Sequence, residues 1–227
     1  MLNRRVVITG GLGALGGAAE AAFVARGDRV VLIDVAPQMP GGRSPDEVIV
    51  DVDLADMTRA QYALARASAQ LGGIDVLVNT AGGYAWERAA PESFLTLQRM
   101  WLANVATCFN ACVAALSHMS DGGRIVNVGA MSAGRGTEGH ASYAAAKSAV
   151  ARLTEALAEE AAGRNIGVNA VLPGIIDTPA NRAAMPEADH AAWTAPAAIA
   201  EVIEFLASPR ARAISGALVP VTAACDE

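Results

Sequence analysis

Val6-Val7-Ile8-Thr9-Gly10-Gly11-Leu12-Gly13-Ala14-Leu15-Gly16 is a short apolar run that leads into a glycine-rich turn. An Ala-rich stretch of helical period follows, so a G-x-G-x-x-G pattern stands between a predicted strand and a predicted helix. Glycines here permit a tight turn and a close approach of the backbone to a pyrophosphate at the helix N-terminus. The alternative is a glycine-rich turn that binds nothing. The context favours a dinucleotide loop over residues 10–16.

The same rhythm of short β-branched runs and longer helical stretches continues along the chain. Strands are predicted at 4–9, 29–34, 74–79, 124–128, 166–172 and 217–221, and helices at 14–26, 56–71, 99–118 and 142–162. Unbroken apolar strands are typical of parallel sheets that helices cover on both faces. The sequence therefore predicts an α/β fold with one domain over residues 1–227, a Rossmann-type doubly wound parallel sheet of about seven strands. Patternless segments at 37–46, 129–141 and 177–196 follow strand ends and are candidate binding loops.

Composition excludes several classes of protein. The net charge is −6 and the 17 basic residues are dispersed, which argues against a nucleic-acid partner. The N-terminal apolar run is too short for a secretory signal, so we expect a cytoplasmic protein. The uncharged stretch 100–120 contains Asn104 and Asn110, which favours a buried helix over a membrane span.

The cysteines and histidines do not indicate a metal site. Cys108 and Cys112 lie one helical turn apart, where a disulfide within one helix is not possible, and Cys225 stands alone. The three histidines, His118, His140 and His190, show no ligand spacing. We therefore expect no metal.

Asp34 ends the second predicted strand, 18 residues after Gly16. At this position a carboxylate can accept hydrogen bonds from the adenosine ribose hydroxyls, and its charge repels a 2′-phosphate. The sequence therefore favours NAD(H) over NADP(H) as cofactor. Arg43 in the following loop leaves NADP(H) open as an alternative.

Tyr143 and Lys147 are four residues apart on a helix predicted to begin near Ser142. Both side chains therefore project from one helix face. Taken alone, such a pair also fits an ordinary solvated face.

With the glycine-rich loop, this pair makes the chain resemble the short-chain dehydrogenase/reductase family over essentially its whole length. The resemblance extends to Asp53-Leu54, to Asn79-Thr80-Ala81-Gly82 with Thr80 in place of an asparagine, to Asn104, and to Pro173-Gly174 with Thr178. It implies cofactor contacts from residues 10–16 and from Asp34, Asp53, Leu54, Asn79, Ala81, Gly82, Tyr143, Lys147, Pro173, Gly174, Ile176 and Thr178.

The resemblance also implies the chemistry. Tyr143 would exchange a proton with the substrate while hydride moves to or from a nicotinamide. Lys147 would bind the nicotinamide ribose and lower the pKa of the Tyr143 phenol toward neutrality, by up to roughly 3 units at ~4 Å. Asn104 would order a water chain behind Lys147.

One position departs from the family. Ala130 stands where the family has its catalytic serine, so either Ser132 compensates or the substrate does not need that donor. Residues 81–85, 129–130 and 177–189, with Trp193-Thr194, are similar to dihydropteridine reductases, which also lack the serine and reduce a quinonoid dihydropterin. Tyr84, Trp86, Met185 and Trp193 could form a wall for such a planar ring, or could simply pack loops or a subunit contact.

The sequence thus favours an NADH-dependent reductase of dihydropteridine reductase type. A general alcohol dehydrogenase or ketone reductase is the second reading, which Asn104 supports, and a non-catalytic dinucleotide sensor is the third. A serine hydrolase is disfavoured because residues 129–134 lack the G-x-S-x-G elbow. The helices through Asn104 and Lys147 correspond to those that relatives pair across two-fold axes, so we expect a homodimer or homotetramer.

Overall fold

A computed structural model describes residues 3–39, 41–42, 44 and 47–222. Its strands are β1 Arg5–Thr9, β2 Arg29–Ile33, β3 Val48–Ile49, β4 Ile74–Asn79, β5 Met119–Val128, β6 Gly167–Pro173 and β7 Leu218–Val221. In the described part of the chain they form one sheet of seven strands in the order β3-β2-β1-β4-β5-β6-β7. All neighbouring strands run parallel. The predicted doubly wound α/β fold is confirmed.

Helices cover both faces of the sheet. They are α1 Ala14–Ala25, α2 Met57–Leu71, α3 Phe94–Met100, α4 Thr107–Leu116, α5 Ala141–Ala161, α6 Pro179–Ala184 and α7 Pro196–Ala207. Side chains alternate along each strand, so Val7 belongs to the core under α2, α4 and α5, while Val6 and Ile8 belong to the core under α1 and α7. Burial of each large aliphatic side chain contributes about 1.5–3 kcal/mol to this arrangement.

Three elements differ from the sequence-based expectation. The helix predicted at 99–118 begins at Phe94 and contains a π-helical segment, Trp101–Ala106, between α3 and α4. β5 begins at Met119, before the predicted start, where its register with β4 shifts. The segment 177–196, predicted to be irregular, contains α6. The reason is local: Thr178 accepts a hydrogen bond from the Asn181 amide and caps that helix.

The helical run Pro91–Leu116 is long and apolar enough to cross a bilayer, but half of its most apolar window is buried in the fold. Core helices of soluble proteins meet the same criterion.

Of the residues named in the sequence analysis, Arg43 and Cys225 lie outside the described residues.

A chain of buried polar side chains crosses the sheet below its carboxyl edge. Thr9 Oγ1 donates to Asn79 Oδ1 at 3.1 Å, and Asn79 Nδ2 donates to Asn127 Oδ1 at 2.9 Å. Asn127 Nδ2 in turn donates to Thr154 Oγ1 on α5 at 2.9 Å. These bonds link β1, β4, β5 and α5, and they fix the strand ends that carry the loops of the site.

Thr154→Val is expected to destabilise the fold by about 1–3 kcal/mol, because the valine leaves Asn127 Nδ2 buried without an acceptor. Thr154→Ser is the matched control, since it keeps the hydroxyl and loses only a methyl group, at a cost of about 1 kcal/mol. Urea unfolding of both variants measures the difference. A serine variant less stable than the valine variant would contradict this account.

Candidate active site

The carboxyl ends of the parallel strands meet along one edge of the sheet, and a cleft of about 560 Å³ opens there. The chain turns in opposite directions from β1 and β4, so this is the switch point at which open α/β sheets bind ligands. Residues that line the cleft are Gly10, Leu12, Gly13, Ile33, Asp34, Val35, Ala36, Val52, Asp53, Leu54, Thr80, Ala81, Gly82, Ala103 and Thr107. Most of the predicted cofactor segments therefore meet in one place.

The glycine loop is shaped by close backbone contacts. Gly10 has a φ of +64°, and a Cβ there would lie 2.7 Å from the Ala81 backbone. A Cβ on Gly16 would meet the Gly10 carbonyl oxygen, so the turn can pack on α1 only with glycine at this position. Gly13 is the N-cap of α1 and has no side chain to cap it. This bare helix start beside the cleft is a cradle that fits a pyrophosphate.

The predicted loop residues divide into two groups. Gly10, Leu12 and Gly13 line the cleft. Leu15 is buried in the core under α1, and Gly11 packs against Leu32. Leu15 and Gly11 therefore shape the turn, and neither places a side chain in the cleft.

Two carboxylates lie at the far end of the cleft. Asp34 accepts hydrogen bonds from the Leu12 amide at 3.0 Å and from the Ala36 amide at 2.9 Å, which fixes its position. Asp53 accepts from the Ala55 amide at 2.9 Å. Both positions were predicted from the sequence. These residues fit the ribose and adenine of a dinucleotide.

Asn110 and Thr80 support the cleft and were not predicted as functional. Asn110 Nδ2 donates to the carbonyls of Leu54 and Ala55 at 2.9 and 3.0 Å, which holds the adenine-side loop. Thr80 Oγ1 donates to the Thr9 carbonyl at 2.6 Å and ties the end of β4 to the nucleotide loop. For Asn110 the sequence signal is a polar residue in an uncharged helix, which many core helices share. For Thr80 the signal is its place in the motif at residues 79–82, where it replaces an asparagine.

Asn79 was expected to contact the cofactor, but the structure places it in the core. Its side chain is 3% exposed, and its amide is engaged with Thr9, Asn127 and Cys112. Strand alternation places this side chain on the sheet face covered by α4, where Cys112 lies, and Asn79 does not line the described cleft. Its contact with a cofactor stays a prediction. These bonds tie the end of β4, after which Thr80 and Ala81 follow, to β1 and β5.

Asn104 lies in the π-helical segment and holds the loop after β4. Its Nδ2 donates to the carbonyls of Gly83 and Met100, both at 3.0 Å, and its Oδ1 accepts from the Gly83 amide at 3.3 Å. The amide group is thus bonded to the backbone, and the ordering of a water chain behind Lys147 stays a prediction. π-Helical segments of this kind are frequent at functional sites.

Tyr143 and Lys147 lie on one face of α5, as predicted. Lys147 Nζ donates to the Val128 carbonyl at 2.8 Å and would be 3.5 Å from a Cβ built on Gly82. Lys147 therefore borders the cleft.

The expected acidification of the phenol by Lys147 is not seen. Burial raises the pKa of Tyr143 to about 12, and burial lowers the pKa of Lys147 to about 8. The ammonium lies 5.9 Å from the Tyr143 ring centroid and donates elsewhere, so desolvation outweighs its attraction for a phenolate. In this structure Tyr143 is a protonated group at neutral pH.

Ala130 and Ser132 follow β5. Ala130 is 6% exposed and has extended backbone. Ser132 Oγ is buried with no hydrogen-bond partner among the described residues, in the short 3₁₀ turn Met131–Ala133. Within the described residues no protein group competes for this hydroxyl, and its replacement of the missing serine stays a prediction.

The segment after β6 folds back along the sheet edge. Pro173 ends β6, Ile176 pairs with Thr194 in a β-bridge, and the Ile176 carbonyl accepts from Asn181 Nδ2 at 2.8 Å. Thr178 caps α6, and Gly174 precedes the turn. Pro173, Gly174, Ile176 and Thr178 are therefore contiguous at the edge, although they do not line the described cleft.

The expected substrate wall forms only in part. Tyr84 and Trp86 are 57% and 54% exposed, and Met185 is at the border of exposure. Trp193 is 7% exposed and packs on the His190 ring, with centroids 4.4 Å apart. The β-bridge between Thr194 and Ile176 holds the neighbouring Trp193 against the fold. Packing between loops therefore describes Trp193 better than a substrate wall does.

No group of three or more His, Cys, Asp or Glu side chains within the described ranges could hold a metal ion.

Comparison with known proteins agrees with this geometry. Residues 4–189 match the family model described as short chain dehydrogenase. The chain is 32% identical to 2-(R)-hydroxypropyl-CoM dehydrogenase of Xanthobacter autotrophicus, covering 95% of this chain and 96% of the relative. It is 32% identical to meso-2,3-butanediol dehydrogenase of Serratia marcescens, covering 96% and 93%. A solved structure of a blue fluorescent protein from a metagenomic library, in complex with NADPH, has a TM-score of 0.85 and 30% identity and covers 99% of both chains.

Proposed function

The chain belongs to the short-chain dehydrogenase family and is an oxidoreductase, and on this basis we propose that Tyr143 is the proton donor in hydride transfer to a small substrate. The observation that carries the proposal is the placement of Tyr143 and Lys147 on one face of α5, with Lys147 against Gly82 at the border of the cleft. When bound, a nicotinamide dinucleotide supplies or accepts the hydride.

In the direction of reduction, a bond forms between hydrogen and the electrophilic atom of the substrate, the carbonyl carbon of a ketone or a ring nitrogen of a quinonoid dihydropterin. The π electron pair moves to the oxygen or nitrogen at the other end of the conjugated system. Tyr143 Oη gives its proton to that atom. A phenol with a pKa of about 12 holds its proton at neutral pH, which suits this role. Lys147 is cationic below about pH 8 and stabilises the phenolate that remains. Solvent then returns the proton to Tyr143.

The first substrate that we propose is a quinonoid dihydropterin. The support is Ala130, because a polarised imine needs only one proton donor, whereas a developing alkoxide loses about 100- to 1,000-fold in rate without a second donor. Tyr84 and Trp86 offer exposed aromatic surface to a planar ring.

The second candidate is a ketone or secondary alcohol. Asn104 and the two dehydrogenases that share 32% identity with the chain favour this reading. The buried Trp193 also removes part of the wall on which the pterin proposal relies.

An assay of NADH oxidation by absorbance separates the pterin proposal from the ketone proposal. Quinonoid dihydropterin is assayed beside a panel of small ketones. Pterin turnover without ketone turnover supports the first substrate, and the reverse supports the second. Binding of NADH with no turnover of any pterin, quinone or carbonyl compound would establish a sensor and overturn the proposed function.

We propose NADH as the preferred dinucleotide, with NADP(H) as the alternative. The carboxylate of Asp34 is held in the cleft by two backbone amides, so it cannot swing away from a 2′-phosphate. Val35 and Ala36, the next cleft residues, bring no compensating charge. The NADPH-bound structural neighbour is the reason to test this directly.

Asp34→Asn is expected to reduce the preference for NADH over NADPH by about 10- to 100-fold, because it removes a like-charge repulsion of a few kcal/mol. The ratio of kcat/KM for the two cofactors is the measurement. Asp51→Asn is a matched control, since Asp51 is exposed and does not line the cleft. An unchanged ratio in Asp34→Asn would remove Asp34 from cofactor selection.

We also propose that the protein is cytoplasmic and forms a homodimer or homotetramer through the helices around Asn104 and Lys147. Trp101, Leu102 and Phe109 leave large apolar side chains exposed on the helix around Asn104, which supports a subunit contact on that helix.

A further inference from the structure

Tyr84 and His140 form a hydrogen-bonded pair beside Tyr143. The rings of Tyr84 and Tyr143 meet edge to face, with centroids 5.0 Å apart and planes at 80°. Tyr84 Oη lies 3.1 Å from His140 Nε2. The Tyr84 side chain is also half exposed, so it offers its hydroxyl to a molecule that approaches Tyr143.

We propose that Tyr84 is a specificity-determining residue whose oxygen, oriented by His140, accepts a hydrogen bond from an O–H or N–H group next to the reacting carbon of the substrate. This inference rests on the proposed function, because it assigns a substrate class to the same site. It predicts substrates that carry a donor beside the reacting carbon, such as α-hydroxyketones and vicinal diols.

The direction of the hydrogen bond follows from the surroundings of His140. Its Nδ1 lies 2.9 Å from the Glu138 carbonyl oxygen, which can only accept, and 3.0 Å from Thr137 Oγ1, which can donate or accept. A bare Nδ1 would set its lone pair against the Glu138 carbonyl, whereas a hydrogen on Nδ1 suits both oxygens, so we assign the hydrogen to Nδ1. In a neutral ring Nε2 is then an acceptor, and the Tyr84 hydroxyl donates to it. The lone pairs of Tyr84 Oη remain for the substrate.

Tyr84 is held firmly enough to select. Asn104 bonds the backbone of Gly83 in both directions. On the other side, the Glu87 amide donates to the Gly139 carbonyl at 2.9 Å, and Trp86 fills the space in which a Cβ of Gly139 would lie. Contacts on both sides therefore fix the segment that carries Tyr84. The Tyr84 hydroxyl is thus oriented before the substrate binds.

The protonation state of Tyr84 suits this direction of donation. Burial raises the pKa of Tyr84, and the charge of an ionised Tyr84 contributes, after burial, to the raised pKa of Tyr143. Tyr84 therefore keeps its hydrogen at neutral pH, as donation to His140 requires.

The test compares reduction of acetoin, 2-butanone and 2,3-butanedione by NADH at pH 7.5. Acetoin carries a hydroxyl donor next to its carbonyl, 2-butanone has no second polar group, and 2,3-butanedione carries a second acceptor. Tyr84→Phe keeps the ring contact and removes the oxygen. It is expected to lower kcat/KM for acetoin about tenfold and to leave 2-butanone within about twofold. Tyr62→Phe, on the exposed face of α2, is the control.

His140→Leu is expected to reverse the preference between acetoin and 2,3-butanedione. A purely structural role of His140 would not produce this reversal. Without the imidazole acceptor, the Tyr84 hydroxyl is free to donate to the substrate, so preference is expected to move from acetoin toward 2,3-butanedione. Long-range ¹H–¹⁵N spectra of the wild-type protein test the tautomer independently of turnover. A proton found on Nε2 of His140 would overturn the proposed direction.

The outcomes separate the two proposals. If the wild-type protein reduces none of these ketones and no dihydropterin, the proposed function fails and the role of Tyr84 falls with it. If the wild-type protein reduces acetoin, but Tyr84→Phe affects acetoin and 2-butanone equally or affects neither, only the role of Tyr84 is refuted.

Discussion

Tyr143→Phe is expected to lower kcat by about 100- to 10,000-fold, while the fold and the affinity for NADH are retained. The phenylalanine keeps the ring that packs beside Tyr84 and removes only the hydroxyl that gives the proton. Because this hydroxyl has a pKa of about 12, raised by burial, it serves as an acid across the neutral range. Steady-state rates of NADH oxidation with the best acceptor measure the loss.

The chain has three tyrosines, which form a natural series of variants. Tyr62→Phe, at an exposed position, is expected to change nothing, whereas Tyr84→Phe is expected to alter only selectivity. Tyr143→Phe should lower the turnover of every acceptor by about 100- to 10,000-fold. Turnover of wild-type magnitude in Tyr143→Phe would show that the proton comes from another group, and the proposed mechanism would be wrong.

Lys147→Met is expected to have two opposite effects, a loss of about 100- to 1,000-fold in kcat and a gain in stability. Activity falls because no cation remains to stabilise the phenolate of Tyr143. Stability rises because burial lowers the pKa of Lys147 from 10.5 to about 8, a cost of about 3 kcal/mol at pH 7. The variant also leaves the Val128 carbonyl without its donor, and this loss lowers the free energy of unfolding by about 1 kcal/mol. A net gain of about 2 kcal/mol remains.

The pH dependence checks the sign of this effect. Below about pH 8 Lys147 is charged in both the folded and the unfolded chain, so the burial cost is present in full. Between about 8 and 10.5 the unfolded chain binds the extra proton, and the wild-type protein gains stability with rising pH. The advantage of Lys147→Met is therefore largest below pH 8 and shrinks above it.

The pKa itself can be measured without interference. Lys147 is the only lysine in the chain. Selective ¹³C labelling of lysine gives one side-chain resonance, and its titration reports the group directly. A midpoint near 10.5, the ordinary value, together with no stability gain in Lys147→Met, would refute the burial account.

Much of the site followed from local sequence. Strand and helix periods predicted the parallel sheet, and parallel strands bring their carboxyl ends to one edge whatever the loops contain. Other parts of the site depend on residues close together in the sequence. These are the glycines of residues 10–16, Asp34 at a strand end, and the spacing of Tyr143 and Lys147 on one helix. Their positions were therefore readable before any tertiary contact was known.

Tertiary structure decided which polar groups face a ligand and in which protonation state. Asn79 matched a cofactor motif, yet sheet register turns it toward Asn127, which is distant in sequence. Tyr84 and His140 meet across 56 positions of chain, a distance over which periodicity carries no information. The pKa of Tyr143 also depends on how much water the packed loops exclude. Local spacing sets the direction of a side chain from its own backbone, but burial and partners belong to segments that only the folded chain brings together.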